Sequence, residues 1–362
     1  MQQAIPCSIM RGGTSKGLYF LASALPTNVE QRNQLLLAVM GSPDARQIDG
    51  LGGAHPLTSK VAIVSLSQRD DADVDYLFLQ VMVDKAQVSD TQNCGNILAG
   101  VGPFAIEQGL VSPGSDLTDV RIHMLNTGSN AVARVHTPNG QVNYAGEAKI
   151  DGVPGTSAPV TLDFLDIAGS SCGRLFPTGN SQDVIANVAV TCIDNGMPVV
   201  LMQASAFGLT GAESPAELEA NQSLKERVEE IRLAAGYLME LGDVSTKTVP
   251  KMTLISPALK GGLLNTRSFI PHRVHEAIGV LGSVSVATAC VLKGTVASDL
   301  LAQDFADGTI DIVVEHPTGQ FSVAMEISGS GDINTFTVHR AALLRTARLL
   351  MRGEAMIPSS SC

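Results

Sequence analysis

Two residues that can gain and lose a proton stand on turns made of small residues. Lys60 closes a glycine-rich segment, residues 52–60, and precedes an apolar run at 61–64 that is typical of a strand. Cys94 is followed by a glycine, an amide residue and a mostly apolar stretch at 97–106, which predicts a thiol at the start of a helix. Helix N-termini lower the pKa of a thiol. The pair therefore suggests proton transfer to and from carbon.

Each of these residues also has a structural interpretation. Free cysteines are among the most buried residue types, so Cys94 could be a small core residue. Lys60 could end a strand at the surface. The asparagines and glycine around Cys94 favour a functional thiol, because a core cysteine needs neither a glycine beside it nor amide side chains around it.

Composition limits the classes of function. The chain has 362 residues, a formal net charge of −11, 44% hydrophobic and 16% charged residues. Nucleic acid and anionic membrane surfaces need a basic face, so neither is expected as a partner. Six cysteines without paired spacing predict free thiols in a reducing compartment and no metal site. With neither a signal peptide nor a long apolar run, a cytoplasmic protein is expected.

Hydrophobic spacing divides the chain into two similar α+β halves, each with a sheet around one central helix. The boundary is predicted near residues 168–174, which gives domains at 1–172 and 173–362, with packing of the last segment back on the first domain as a further possibility.

Several elements are predicted from the same spacing. A strand is expected at 142–150, one helix at about 215–240, an apolar helix that begins at Gly282 and ends near 292, and a strand that runs into a helix at 335–351.

The glycine-rich residues 12–17 fail the P-loop pattern, because apolar and aromatic residues follow the closing glycine where lysine and a hydroxyl residue should stand. The segment does present Thr14, Ser15 and Lys16 on a turn whose backbone N–H groups are expected to be free, which suits a carboxylate. An ordinary tight turn with a solvated lysine is the alternative.

The second half has its own candidates for anion binding. Arg267, Arg273 and His275 precede the predicted helix start at 282–285, and residues 316–319 form another turn with hydroxyl and backbone donors. The alternatives are solvated loop residues and a plain hairpin turn.

Four of these segments resemble the PrpF family, which has the diaminopimelate epimerase-like fold. They are residues 10–17, the stretch 49–60, residues 93–96 and residues 316–319, in order over nearly the whole chain. The family includes aconitate isomerases of the methylcitrate route, methylitaconate isomerase and 4-oxalomesaconate tautomerases, and the chain is most similar to the last group, which acts in gallate degradation.

The resemblance implies two pseudo-symmetric domains, each a curled β-sheet around a central helix, with the active site in the cleft between them. It also implies proton transfer by Lys60 and Cys94 without a cofactor. Diaminopimelate epimerase uses two cysteines, whereas here the second helix start has no thiol and Cys290 lies about two turns further on. This difference argues against a two-thiol racemase.

The residues expected at the substrate are polar or small and belong to the segments above. They are Arg11, Thr14, Ser15, Lys16, Ser59, Gly95, Asn96, Arg267, Arg273, His275, Ser283, Ser285, Thr318 and Gly319. A small tricarboxylate substrate and a homodimer are family-level expectations, with no metal and no cofactor.

The expected reaction is tautomerisation or allylic isomerisation of 4-oxalomesaconate. Lysine in water titrates near 10.4, and substrate anions favour its ammonium form, so Lys60 suits an acid or an enolate stabiliser unless burial dominates. Which of Lys60 and Cys94 removes the proton stays open. The alternatives are isomerisation of 2-methylaconitate or methylitaconate by the same pair, and an accessory role beside an aconitase-like dehydratase.

Overall fold

The structure, a computed structural model, describes residues 2–91, 93–165, 167–271 and 273–358. The chain divides into two compact units, the first made of Met1–Leu162 with Leu344–Cys362 and the second of Asp163–Leu343. The sequence puts the boundary near residues 168–174, whereas the chain leaves the first unit at Leu162 and returns to it at Leu344.

The first unit contains most of the N-terminal strands and three helices. Its strands are β1 (Gln2–Gly12), β2 (Ser15–Leu21), β3 (Lys60–Leu66), β4 (Val74–Val81), β5 (Val88–Ser89), β6 (Leu117–Met124) and β7 (Ser129–His136), and its helices are α1 (Val29–Met40), α2 (Gly95–Leu98) and α3 (Val101–Glu107). Strand β8 (Pro159–Leu165) begins in this unit and ends in the second.

The helices of the first unit are set by local signals and by burial. The Asn28 side chain accepts a hydrogen bond from the backbone N–H of Gln31 at the start of α1, and Gly41 ends the helix in the left-handed conformation. Helix α1 packs its buried face on apolar side chains of β2, β3 and β4. All four residues of α2 and nearly all of α3 are buried, and these helices pack against β1, β2, β3, β6 and β7.

The second unit contains the remaining elements. Its strands are β9 (Asp183–Ile185), β10 (Val188–Asp194), β11 (Pro198–Gln203), β12 (Lys251–Pro257), β13 (Leu264–Ile270), β14 (Arg273–Val274), β15 (Gly308–His316) and β16 (Gly319–Ser328), and its helices are α4 (Pro215–Ala220), α5 (Gln222–Leu238) and α6 (Val280–Val291). The last strand, β17 (Thr337–Pro358), begins in the second unit and continues in the first, where it pairs with β1.

The two units share one order of strand pairing. In the first, β1–β2 is antiparallel, β2–β3 parallel, β3–β4 antiparallel, β4–β6 parallel and β6–β7 antiparallel, and the short β5 pairs with the end of β4. In the second, β10, β11, β12, β13, β15 and β16 repeat this order, and the short β14 pairs with β13. In each unit the helix after the short strand is buried.

Helix α6 is buried along its whole length, and it begins at Val280, not at Gly282 as the sequence predicts. Its hydroxyl groups are satisfied internally, since Ser283 donates to the carbonyl of Val280 and Ser285 to that of Met197. The prediction failed because Val280 and Leu281 are apolar and uncapped, whereas the glycine and serines that follow resemble a helix start.

Three further predictions of elements are wrong. The helix expected at 215–240 is two helices, because Asn221 leaves helical geometry and its side chain caps α5. The strand expected at 142–150 is irregular apart from one bridge at Ala148, and the side chain of Asn143 bonds the backbone of Ala145. The helix expected toward the end of 335–351 is strand β17, whose backbone pairs with β16 and β1.

Within the described residues no helix is both long and apolar enough to span a membrane.

Candidate active site

Lys60 is the first residue of β3, between Gly17 of β2 and Gln80 of β4. Its side chain is 7% exposed. The ammonium nitrogen Nζ donates to Oε1 of Gln80 at 2.7 Å and lies 5.1 Å from the centre of the Phe78 ring. Among the described residues Lys60 makes no ion pair, so its side chain is held by neutral groups.

Gln80 fixes the loop that carries the lysine. Its Nε2 donates to the carbonyl oxygens of Pro56 at 3.1 Å, Ser59 at 3.0 Å and Val81 at 3.3 Å. Gln80 was not among the residues predicted from the sequence. Its signal is an amide at a buried position of a strand whose neighbouring residues are apolar, since such an amide needs hydrogen-bond partners.

A second glutamine, Gln47, supports the same loop. Oε1 of Gln47 accepts from the Ser59 hydroxyl at 2.7 Å and from the backbone N–H of Ala54 at 2.8 Å. A Cβ at Gly52 would lie 2.2 Å from the Gln47 side chain and would have to displace its amide. Ser59 is fully buried and braces the loop, and its contact with a substrate stays a prediction.

Cys94 is the N-cap residue of α2, so the predicted helix start is confirmed. The thiol-bearing residue is partly exposed, and its carbonyl accepts hydrogen bonds from the backbone N–H of Leu98 at 2.9 Å and from the Tyr76 hydroxyl at 3.3 Å. The helix is one turn long and is separated from α3 by Ala99 and Gly100.

One face of β4 connects the lysine to the cysteine. Tyr76, Phe78 and Gln80 alternate with residues of the opposite face, and all three are buried. Such successive residues are about 7 Å apart. Gln80 and Phe78 contact the amine of Lys60, and Tyr76 binds the backbone of Cys94, so these three residues set the positions of both groups.

The turn between β1 and β2 is fastened to the start of α2. The backbone N–H of Thr14 donates to Oδ1 of Asn96 at 3.3 Å. Two glycines permit the contact: a Cβ at Gly12 would lie 2.3 Å from the carbonyl oxygen of Asn96, and one at Gly13 would lie 2.0 Å from its Oδ1. The predicted segments at 10–17 and 93–96 therefore lie together.

The prediction that this turn has free N–H groups is wrong. The N–H of Gly13 donates to the carbonyl of Thr346 at 2.8 Å, and that of Thr14 is taken by Asn96. Arg11 also serves this turn, because its guanidinium donates to the carbonyls of Gly13 and Thr346 at 2.9 and 3.0 Å.

The turn still offers polar side chains. Ser15 is 2% exposed, and its hydroxyl has no hydrogen-bond partner among the described residues. Lys16 is partly exposed.

Two buried tyrosines line the same region. Burial and the nearby Cys94 raise the pKa of Tyr19 and of Tyr76 well above the ordinary value, so both phenols stay protonated. The Tyr19 hydroxyl donates to the carbonyl of Ile97 at 2.5 Å. The tyrosines therefore hold the backbone around Cys94 and do not exchange protons near neutral pH.

In the second unit the structure brings His275 and Thr318 into one neighbourhood. The Thr318 hydroxyl donates to the carbonyl of Glu276 at 3.0 Å and lies 3.3 Å from Nδ1 of His316. Nδ1 of His275 accepts from the backbone N–H of Ala277 at 2.9 Å, so its remaining proton site is Nε2. Gly319 follows Thr318 as the first residue of β16.

The two arginines of the second unit have different surroundings. Arg267 is 6% exposed, and its guanidinium donates to the carbonyl of Glu213 at 2.6 Å and to Oδ1 of Asn265 at 2.8 Å. Burial lowers its pKa, which two neighbouring glutamates partly offset. Arg273 is exposed on β14. Contact of either arginine with a substrate stays a prediction.

The second helix carries no thiol at its start. Gly279 is the N-cap of α6 and follows the short strand β14 as Cys94 follows β5. The sequence predicts Ser283 and Ser285 at the start of this helix, but both lie in the interior of α6. Cys290 is 1% exposed, and burial raises its pKa strongly, so it is an unreactive core thiol.

Within the described residues, no group of three or more His, Cys, Asp or Glu side chains is placed to hold a metal ion.

The chain has the same fold as epimerases and racemases of known structure. A hydroxyproline epimerase from Agrobacterium vitis superposes with a TM-score of 0.59 at 14% identity, over 98% of this chain and 92% of the other. The crystal structure of a methylitaconate-delta-isomerase is closer, with a TM-score of 0.81 and 35% identity over 99% of this chain and 97% of the other.

Sequence comparison assigns the chain to one family within this fold. The family model described as PrpF protein matches residues 2–358, and the chain belongs to the PrpF family. It is 58% identical to the (4E)-oxalomesaconate Delta-isomerase of Novosphingobium sp., over 97% of each chain. It is 57% identical to the 4-oxalomesaconate tautomerase of Pseudomonas putida, over 98% of this chain and 97% of the other.

Proposed function

We propose that this protein is a cofactor-independent isomerase that moves a proton on an unsaturated tricarboxylate, with Lys60 and Cys94 as the proton-transfer pair. The observation that carries the proposal is the shared face of β4, whose side chains hold both the lysine amine and the cysteine backbone. The unpartnered Ser15 hydroxyl beside the cysteine helix supports a polar ligand there.

The reaction needs one base and one acid. The base takes a proton from a carbon next to a conjugated carbonyl, and the electron pair of the broken C–H bond moves into the conjugated system to give an enolate. The acid then donates a proton to oxygen, for a tautomer, or to another carbon, for a shifted double bond. The product has the formula of the substrate, so no oxidant or second reactant is required.

The substrate proposed first is 4-oxalomesaconate, which the names of two relatives above 55% identity support. One name describes a tautomerase and the other a Δ-isomerase. The test therefore looks for both products of the enolate, the tautomer and the compound with a shifted double bond. Methylitaconate is the second candidate, supported by the structural relative at 35% identity. The substrate-binding residues of the second unit, Arg267, Arg273, His275 and Thr318, remain part of the proposal.

The repeated order of strand pairing supports a finer statement about the fold. The proposal includes two pseudo-symmetric units, each with a sheet curled around its central helix. The proposed proton-transfer pair, Lys60 and Cys94, belongs to the first unit.

The test is proton NMR and ultraviolet absorbance in deuterated buffer with 4-oxalomesaconate, 2-methylaconitate and methylitaconate as separate substrates. We expect turnover and deuterium incorporation with 4-oxalomesaconate, and a loss of at least about 100-fold in kcat for Lys60→Ala and for Cys94→Ala. Cys7→Ala is the matched control, because Cys7 is a buried cysteine of β1.

The outcomes separate the alternatives. Turnover of methylitaconate or 2-methylaconitate alone would keep the proton-transfer pair and replace the substrate. A folded Lys60→Ala or Cys94→Ala protein with wild-type turnover would remove that residue from the mechanism. A folded wild-type protein that is silent on all three substrates would refute the isomerase and support the accessory role.

A further inference from the structure

Gln80 carries a hydrogen-bond arrangement that packing alone does not require. It is 8% exposed and lies near the end of β4. Burying an amide is unfavourable unless its polar atoms are hydrogen-bonded. Here both ends are used: Nε2 donates to carbonyls of the lysine loop, and Oε1 accepts from the amine of Lys60 at 2.7 Å.

The carbonyl oxygens of the lysine loop determine the orientation of the Gln80 amide. Nε2 lies 3.1 Å from the oxygen of Pro56 and 3.0 Å from that of Ser59. If the amide were flipped, its oxygen would face these two carbonyl oxygens, and three lone-pair-bearing groups would meet without a donor. Oε1 therefore points to Nζ of Lys60, and the loop that carries the lysine also aims its hydrogen-bond acceptor.

The charge of the acceptor matters for a group that must exchange a proton. Within the described part of the chain, Nζ contacts the Gln80 amide and the Phe78 ring, both of which are neutral. An amide oxygen accepts an N–H bond from an ammonium and from a neutral amine alike. A carboxylate in the same place would favour the ammonium form strongly.

We propose that Gln80 is a positioning residue for Lys60: its amide aims the lysine amine and, because it is neutral, leaves the amine able to gain and lose a proton. The role in turnover rests on the proposed function, whereas the effect on the lysine does not. Gln80 acts through Lys60 and is not expected to touch the substrate.

Two substitutions test separately the position of the Lys60 amine and the charge of its hydrogen-bond acceptor. Gln80→Glu keeps the shape and adds a negative charge beside Nζ, while Gln80→Met keeps the approximate volume and removes the acceptor. In Gln80→Glu the second carboxylate oxygen faces the carbonyl of Ser59, so folding is checked first by circular dichroism and thermal unfolding. Gln80→Met keeps the proposal testable if the glutamate variant does not fold.

The first readout needs no substrate. Protein labelled with 13C-lysine is titrated by NMR, and the Lys60 resonance is identified by its loss in Lys60→Arg. We expect its titration midpoint in Gln80→Glu to move upward by about 1 to 3 pH units, the usual effect of an adjacent opposite charge. Gln203→Glu is the control, because it places the same charge at the end of β11 in the second unit.

The second readout is turnover. We expect the pH dependence of kcat in Gln80→Glu to move in the same direction as the lysine titration. In Gln80→Met we expect kcat to fall by about 100-fold with KM little changed, the typical cost of a misplaced reacting group.

Two results would overturn the proposal. An unchanged Lys60 titration in folded Gln80→Glu would refute the electrostatic part, and wild-type kcat in Gln80→Met would refute the positioning part. If the wild-type protein turns over none of the candidate substrates, the proposed function fails, while the titration still decides whether Gln80 governs the lysine.

Discussion

The sharpest prediction concerns Gly12, where a single methyl group would displace the helix that carries the thiol. Gly12 ends β1, and a Cβ added there would lie 2.3 Å from the carbonyl oxygen of Asn96. Asn96 is two residues beyond Cys94 on α2. The contact is with main chain, so no side-chain rotation can relieve it.

The size of the displacement follows from contact distances. A carbon and a carbonyl oxygen approach to about 3.3 Å, so the separation of 2.3 Å requires a shift of about 1 Å between β1 and α2. A misplacement of this size costs about 100-fold in rate, or about 2.7 kcal/mol of activation free energy. Overpacking of a buried site also costs about 1 to 3 kcal/mol of stability.

The assay for Gly12→Ala is kcat/KM with the substrate found by the NMR test, together with urea unfolding. Gly331→Ala is the matched control, because a Cβ at Gly331 meets nothing within 4 Å and its φ is also ordinary. We expect a loss of about 100-fold in kcat/KM for Gly12→Ala and none for the control. A folded Gly12→Ala protein with wild-type kcat/KM would refute the claim that this contact positions Cys94.

Two predictions concern stability in the second unit. Burial raises the pKa of Asp194 from 3.8 to about 6, so the folded state binds this proton more tightly than the unfolded state, and the free energy of unfolding should fall by about 3 kcal/mol as pH rises from about 4 to 7. Urea unfolding should show that Asp194→Asn removes this fall, and a pH-independent difference between the two proteins would contradict it. Arg232 is fully buried and donates to Glu229 and to the carbonyl of Val244, so Arg232→Met should cost about 3 to 5 kcal/mol. The exposed Arg227 of the same helix is its control, and equal losses for the two arginine variants would show that burial of the charge is not the cause.

The sequence was sufficient to find the residues with unusual local surroundings. Cys94 was placed at a helix start, because a glycine and amides before an apolar run are typical of a helix N-terminus. The turn at Gly12 was recognised, but not its contact with Asn96, which joins residues far apart in the sequence. Spacing along the chain carries no information about which turn meets which helix.

Residues that act through tertiary hydrogen bonds were missed for the same reason. Gln80 belongs to a strand, and nothing next to it in the sequence indicates that its partners are Lys60 and the loop before it. The helix predicted within 335–351 failed because its arginines and leucines favour helix, whereas pairing with β16 and β1 satisfies the backbone as strand.

Gly279 has a consequence for how this chain relates to enzymes with two thiols. Its backbone has ordinary extended geometry, with φ −71° and ψ 145°, and a Cβ there would meet nothing within 4 Å. A side chain could therefore be gained or lost at this position without repacking the helix. A cysteine at this position would place a second thiol at the matching helix start, with the fold already able to accept it.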